Sequence, residues 1–320
     1  MEKANIRDLT AFKIGNAQDL TAATGCTAII CEAGAVCGVD VRGGSPVTRD
    51  TDALDPKSNR KAVHAVVLAG GSSFGLDAAG GVMRCLEARG IGRDAGVAKI
   101  PNVCAAILFD LKCGRADVRP DAEMGFAAAS AAFADAEFTG GNFGAGTGAT
   151  VGTLRGAANA MKGGLGKSAY RRGELLVGAV AAVNCAGDVV SGGKIIAGAL
   201  NDDKKTFADS ERVFLSDYFN GKDLFSGNTV LVCIITNAKL EKAAAAKLAA
   251  LGQNGIARAI RPAHTSFDGD TVFAMCSGEV GASADAVGIL AAKAVEDAIL
   301  DAVNSATSAY GYPSAREMTT

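Results

Sequence analysis

The residues best suited to chemistry fall in three short stretches. In FSGNTVLVCIIT, the pliable pair Gly227-Asn228 precedes Thr229, which opens a β-like apolar run from Val230 to Ile235. A threonine hydroxyl inside a chain is a weak nucleophile with no base attached. A backbone cut just before it would give the same residue a free α-amine, whose ordinary pKa is near 8. That amine can take the hydroxyl proton at neutral pH, directly or through a water, and so activate the oxygen. The same hydroxyl can make the cut by attacking the Asn228 carbonyl, giving an ester that water opens. Gly227 and Asn228 suit such a bond because it must tolerate unusual dihedrals. Taken alone, the stretch reads first as a turn feeding a strand, because short motifs match by chance.

The second stretch is Asp268-Gly269-Asp270 in RPAHTSFDGDTVFA. If it is extended, the two carboxylates at i and i+2 share one face. Clustered carboxylates repel, so one can be held protonated and relay a proton. Taken alone, the same residues read first as an Asp-Gly turn opening a strand. The third is Asn184 in AAVNCAGDV, whose side-chain amide at a strand end can donate to a developing oxyanion. It reads as readily as a turn residue before Ala-Gly-Asp.

Other motifs fall away. GNFGAGTGATVG lacks the Lys-Ser/Thr ending of a phosphate loop. AGGSSFG is not a nucleophile elbow, and His64 and His264 have no triad context. Nine cysteines include no CxxC pair, and with only two histidines zinc-ligand spacing is absent, so no metal or cofactor is expected. Most cysteines lie in apolar runs and read as small buried hydrophobes.

The rest of the chain must position these residues. It has 320 residues, 49% hydrophobic and 21% charged, with a formal net charge of −2. Near-neutral charge gives no footprint for nucleic acid or an anionic membrane, and four Tyr with no Trp leave little for base stacking. The polar N-terminus MEKANIRDLTAFKIG fits neither a signal nor a membrane segment, and the odd cysteine count suits a reducing cytoplasm. CTAIICEAG and AVCGVDV read as two short strands, AVHAVVLAGG and KIPNVCAAILFDL as buried strands, and ELLVGAVAAVNCAGDVV as one strand ending in a turn. SSFGLDAAGGVMRCLEARGIG, residues 121–136, LEKAAAAKLAALGQNGIARAI and ADAVGILAAKAVEDAILDAV read as helices. Residues 200–228 are polar and weakly patterned, as a mobile or processed segment would be. Strands occur both in adjacent pairs and interleaved with helices. That pattern predicts layered sheets with helices outside, in a single domain spanning residues 1–320.

Six blocks then carry a family resemblance: GVDVRGGSPVTRDTDALDP, AVVLAGGSSFGLDAAGGVM, NFGAGTGATVG, GAVAAVNCAGDV, the GNT junction and IRPAHTSFDGDTVFA. In this order they resemble the DmpA-type aminopeptidases and amidases, which include β-aminopeptidases and the nylon-oligomer endohydrolase. The resemblance implies an αββα sandwich, with two stacked β-sheets between helical layers. It implies self-cleavage after Asn228 into residues 1–228 and 229–320, with Thr229 as nucleophile. It places Asp268 and Asp270 beside Thr229, Asp268 on the hydroxyl and Asp270 holding the ammonium or orienting Asp268. It gives Asn184 the oxyanion role. It also implies a small peptide or amide substrate and a homotetramer. The ornithine acetyltransferases, which share the fold and a Thr junction, offer acyl transfer as the alternative, and a non-catalytic small-molecule-binding member is another. Two positions depart from the nylon-oligomer hydrolases. Phe109 stands for a Tyr and Thr153 for a Lys, with Lys162 or Lys167 as possible substitutes for the latter.

Overall fold

The computed structural model describes residues 1–134, 138–216 and 227–318. Part of the weakly patterned segment 200–228 therefore lies outside the described residues.

The main strands are β1 (Lys13–Asp19), β2 (Thr24–Val41), β3 (Val63–Ala69), β4 (Val103–Ile107), β5 (Gly164–Arg172), β6 (Leu175–Asn184), β7 (Thr229–Lys239) and β8 (Thr271–Gly281). The main helices are α1 (Ala78–Glu87), α2 (Ala122–Phe133), α3 (Lys242–Ala259) and α4 (Ala284–Ser305). One layer runs β5-β6-β7-β8-β2, the other β1-β2-β3-β4. Strand β2 belongs to both. Its first part, Thr24–Ile30, pairs with β1 and β3, and its last part, Val36–Val41, pairs with β8. The sequence suggested two strands here. One 18-residue strand forms, with Gly34 at φ 78° where the β3 pairing shifts register. A glycine at that φ lets the chain change sheets without a side-chain clash.

Parallel pairing occurs between β7 and β8 and between β3 and β4. Each pair is joined by a crossover carrying a helix, α3 and α1 respectively, as parallel neighbours require. Three apolar layers follow. Between the sheets, Ile29, Val66 and Leu68 meet Val180, Leu231, Cys233 and Phe273. Outside the first layer, β6, β7 and β8 pack on α3 and α4. Outside the second, β2, β3 and β4 pack on α1 and α2. The result is the expected helix–sheet–sheet–helix sandwich. Alanine and glycine dominate the helix faces that touch the sheets, so backbones approach closely. In α2 every buried residue is Gly or Ala.

All nine cysteines are free, and all but Cys113 are buried. Among the described residues no helix is long and apolar enough to cross a membrane.

Candidate active site

Strand register builds the site. Thr229 is the first residue of β7 and pairs with Asn184, the last residue of β6. On the other side β7 runs parallel to β8, with Leu231 opposite Thr271. One step earlier Asn228 forms a parallel bridge with Asp268. The start of β7 therefore lies between the end of β6 and the approach to β8, so the three stretches meet at one sheet end. Thr229, Asn228, Asn184, Asp268 and Asp270 are all buried.

The Thr229 hydroxyl donates to the carbonyl oxygen of Asn228. The same oxygen accepts the N–H of Gly269 at 2.9 Å. Gly269 is the only residue type that fits there, because a Cβ at that position would lie 2.6 Å from the Thr229 hydroxyl oxygen. Gly227 takes φ +60° and its Cα faces the Phe109 ring, which a Cβ would meet at 2.4 Å. Asn228 donates its N–H to the Phe267 carbonyl at 3.4 Å, and its side-chain oxygen accepts the Thr153 hydroxyl at 2.7 Å.

The two carboxylates have different partners. Asp270 accepts the N–H of Val230 at 2.8 Å on one oxygen. Its other oxygen accepts the backbone N–H of His264 at 3.1 Å and lies 2.8 Å from His264 Nδ1. His264 holds a left-handed backbone, φ 59°, to make this contact. Asp268 accepts the N–H and hydroxyl of Thr265 at 3.0 and 2.5 Å, and the N–H of Ala186 at 3.4 Å. Burial, and then the neighbouring Asp270 charge, push the Asp268 carboxyl from 3.8 up to about 6. Asp268 thus keeps its proton to a higher pH than an ordinary carboxyl. In this uncleaved chain the Asp268 carboxylate faces Thr265 rather than the Thr229 hydroxyl.

Asn184 accepts the N–H of Thr150 at 2.9 Å. Its amide donates to the carbonyls of Phe109 and Gly227 at 3.2 and 3.3 Å. It thereby holds the chain one residue upstream of the Asn228 carbonyl. Thr150 and Thr153 come from the glycine-rich loop, so that loop positions both Asn184 and Asn228. The loop is in turn held by Lys162, which is wholly buried and donates to the carbonyls of Gly146, Ala149 and Gly163 at 2.9, 2.8 and 3.2 Å. Burial lowers its pKa to about 8. Lys167 points elsewhere, to the Phe138 carbonyl. Asp110 accepts the hydroxyl of Thr24 and the N–H of Gly71, both at 2.7 Å, tying the AGGSSFG turn beneath Phe109. His64 lies at the opposite end of β3, accepting the N–H of Asn102.

Sequence reasoning missed two contributors. The Gly269 N–H is a backbone group, and only the Gly between two Asp hinted that something passes close to it. His264 was visible as a residue but not as the partner of Asp270.

Comparison with known proteins covers nearly the whole chain. The family model described as Peptidase family S58 matches residues 4–316. An uncharacterized aminopeptidase of Mycobacterium tuberculosis is 37% identical over 321 residues, covering 95% of this chain and 90% of that protein. A 6-aminohexanoate-oligomer endohydrolase of Paenarthrobacter ureafaciens is 30% identical over 318 residues, covering 92% and 84%. Among solved structures, a Burkholderia β-aminopeptidase superposes with a TM-score of 0.68 at 18% identity, covering 97% and 90% of the chains. The L-aminopeptidase D-Ala-esterase/amidase of Ochrobactrum anthropi, described as a variant of the Ntn hydrolase fold, gives 0.67 at 17%, covering 94% and 86%.

Proposed function

Since the chain belongs to peptidase family S58, and is an enzyme of the aminopeptidase and amidase type, we propose that it is a self-processing amidohydrolase whose nucleophile is Thr229. The observation that carries this reading is the contact of the Thr229 hydroxyl with the Asn228 carbonyl, whose oxygen also faces the Gly269 N–H at 2.9 Å.

The Thr229 oxygen attacks the Asn228 carbonyl carbon, and the Gly269 N–H stabilises the developing oxyanion. The C–N bond breaks, the hydroxyl proton ends on the freed amine, and an ester joins Asn228 to the Thr229 oxygen. Water hydrolyses the ester. Residues 1–228 then end in a carboxylate, and residues 229–320 begin with a threonine bearing both amine and hydroxyl. In turnover the amine takes the hydroxyl proton as the oxygen attacks a substrate amide. It returns that proton to the leaving amine, and water releases the acyl group. Asp270, bonded to the Val230 N–H, fixes the backbone beside the amine. Asp268, bonded to Thr265 and Ala186, holds the turn that presents the Gly269 N–H. Asn184 holds the upstream chain. The substrates are small peptides or amides. The relatives' names, aminopeptidase and 6-aminohexanoate-oligomer endohydrolase, support that class. Acyl transfer remains a chemical alternative at the same ester, but no contact among the described residues favours an amine acceptor over water.

The test is activity on a panel of aminoacyl and peptidyl p-nitroanilides. Wild type should release p-nitroaniline from at least one member, and Thr229→Ala from none. Equal turnover by Thr229→Ala would remove Thr229 as nucleophile.

A further inference from the structure

The uncleaved chain carries its own first acyl donor, and that donor is held by side chains as well as backbone. The hydroxyl that reaches the Asn228 carbonyl is the one that must reach a substrate carbonyl. The Gly269 N–H facing the Asn228 oxygen serves any carbonyl placed there. Whatever surrounds Asn228 therefore surrounds the acyl residue of a substrate, an inference that rests on the function proposed above.

Asn228 is 1% exposed, so its side chain is enclosed rather than dangling in solvent. Its amide oxygen accepts the Thr153 hydroxyl at 2.7 Å. Its N–H meets the Phe267 carbonyl at 3.4 Å, as the next rung of a parallel strand, and the preceding carbonyl of Gly227 meets the Asn184 amide at 3.3 Å. Backbone contacts of this kind accept any residue. Thr153, by contrast, reads the side-chain oxygen. Its position is fixed from both sides: Gly152 before it donates its N–H to the Cys185 and Gly187 carbonyls at 3.2 and 3.1 Å, and Arg155 after it donates to the Leu200 carbonyl at 2.9 Å.

We propose that Thr153 is a specificity-determining residue, and that the acyl subsite selects substrates whose acyl residue carries a hydrogen-bond-accepting side chain of asparagine length. A leucine-type acyl group would leave the half-buried Thr153 hydroxyl without this acceptor. A hydrogen-bonding group screened from water on one side and stripped of its partner discriminates at least as well as a missing methylene. The short threonine side chain sets an acceptor of about asparagine length.

The experiment uses the processed wild-type enzyme and four p-nitroanilides: Asn, Leu, Gly-Asn and Gly-Leu. In each pair, of either length, kcat/KM for the Asn member should exceed that for the Leu member by about 10- to 100-fold. Thr153→Val should bring the ratio close to one, and Thr153→Ser should keep the preference. If Thr153→Val does not self-cleave, the wild type still decides, through competitive inhibition by the product acids Gly-Asn and Gly-Leu. Tighter inhibition by Gly-Asn supports the inference. A processed, active wild type with equal or reversed Asn and Leu rates overturns it and leaves the proposed function standing. An unprocessed wild type inactive on every amide overturns both.

Discussion

Replacing Gly269 by alanine puts a methyl carbon 2.6 Å from the Thr229 hydroxyl oxygen, 2.9 Å from the Ser45 carbonyl oxygen and 3.3 Å from Pro46 Cα. Ordinary van der Waals contact begins near 3.4 Å. Either the hydroxyl must retreat by about 0.8 Å, or Gly269 must withdraw its N–H from the Asn228 oxygen, which it meets at 2.9 Å. Both movements strike the self-cleavage step. Displacing a reacting atom by about 1 Å costs roughly 100-fold, and losing one oxyanion donor roughly 100- to 1,000-fold. One shift causes both effects, so they do not multiply. Self-cleavage of Gly269→Ala should therefore slow by about 100- to 1,000-fold. The assay is cell-free synthesis of the full chain, sampled over time on denaturing gels, with a melting curve to show that it folds. Gly80 in α1, where a Cβ would meet nothing within 4 Å, is the control. Gly80→Ala should process normally and gain about 0.5–1 kcal/mol of helix stability. Gly269→Ala processing at the wild-type rate would refute the oxyanion assignment and the close approach it depends on.

Asp268→Asn and Asp270→Asn should each fold yet lose about 100-fold in self-cleavage and turnover, whereas residues that merely form a turn would tolerate the exchange; timed gels and p-nitroaniline release decide. Asp268 is raised from 3.8 to about 6, so the folded chain keeps a proton between those values that the unfolded chain has released. Its contribution to stability falls as pH rises through that window. Calorimetry of Asp268→Asn from pH 4 to 6 should show a flatter stability profile than wild type. Phe273→Ala, wholly buried between the two sheets, should cost about 3–5 kcal/mol in urea unfolding. We propose a homotetramer, as the family resemblance implies. Light scattering at micromolar concentration should return about four times the mass of one protomer, and the mass of a single protomer would exclude it.

Local patterning made most of the elements legible. The helix at Ala122–Phe133 and the strand at Val63–Ala69 match their runs closely, because small residues at helical spacing and an unbroken Val-Ala-Leu run have few other uses. The stretch 174–190 forms two strands, Leu175–Asn184 and Asp188–Ser191, where one was expected. The break sits at Asn184-Cys185-Ala186-Gly187, just after the residue that pairs with Thr229. What local sequence could not carry was register. Nothing near Thr229 says that it pairs with Asn184 or that Asp268 bridges Asn228, since these follow from how β6, β7 and β8 lie side by side. The backbone donor Gly269 leaves no side-chain signature either. Thr153, visible only as a departure from a lysine, gained meaning once its hydroxyl was seen on Asn228.

Intact-mass spectrometry with N-terminal sequencing of the purified wild-type protein, never exposed to an added protease, tests the central claim most directly. The account predicts two species, residues 1–228 and 229–320, the smaller reading Thr-Val-Leu-Val at its amino end, and a single full-length species for Thr229→Ala. A wild-type preparation that stays at full length, or one cut at another bond, would contradict it.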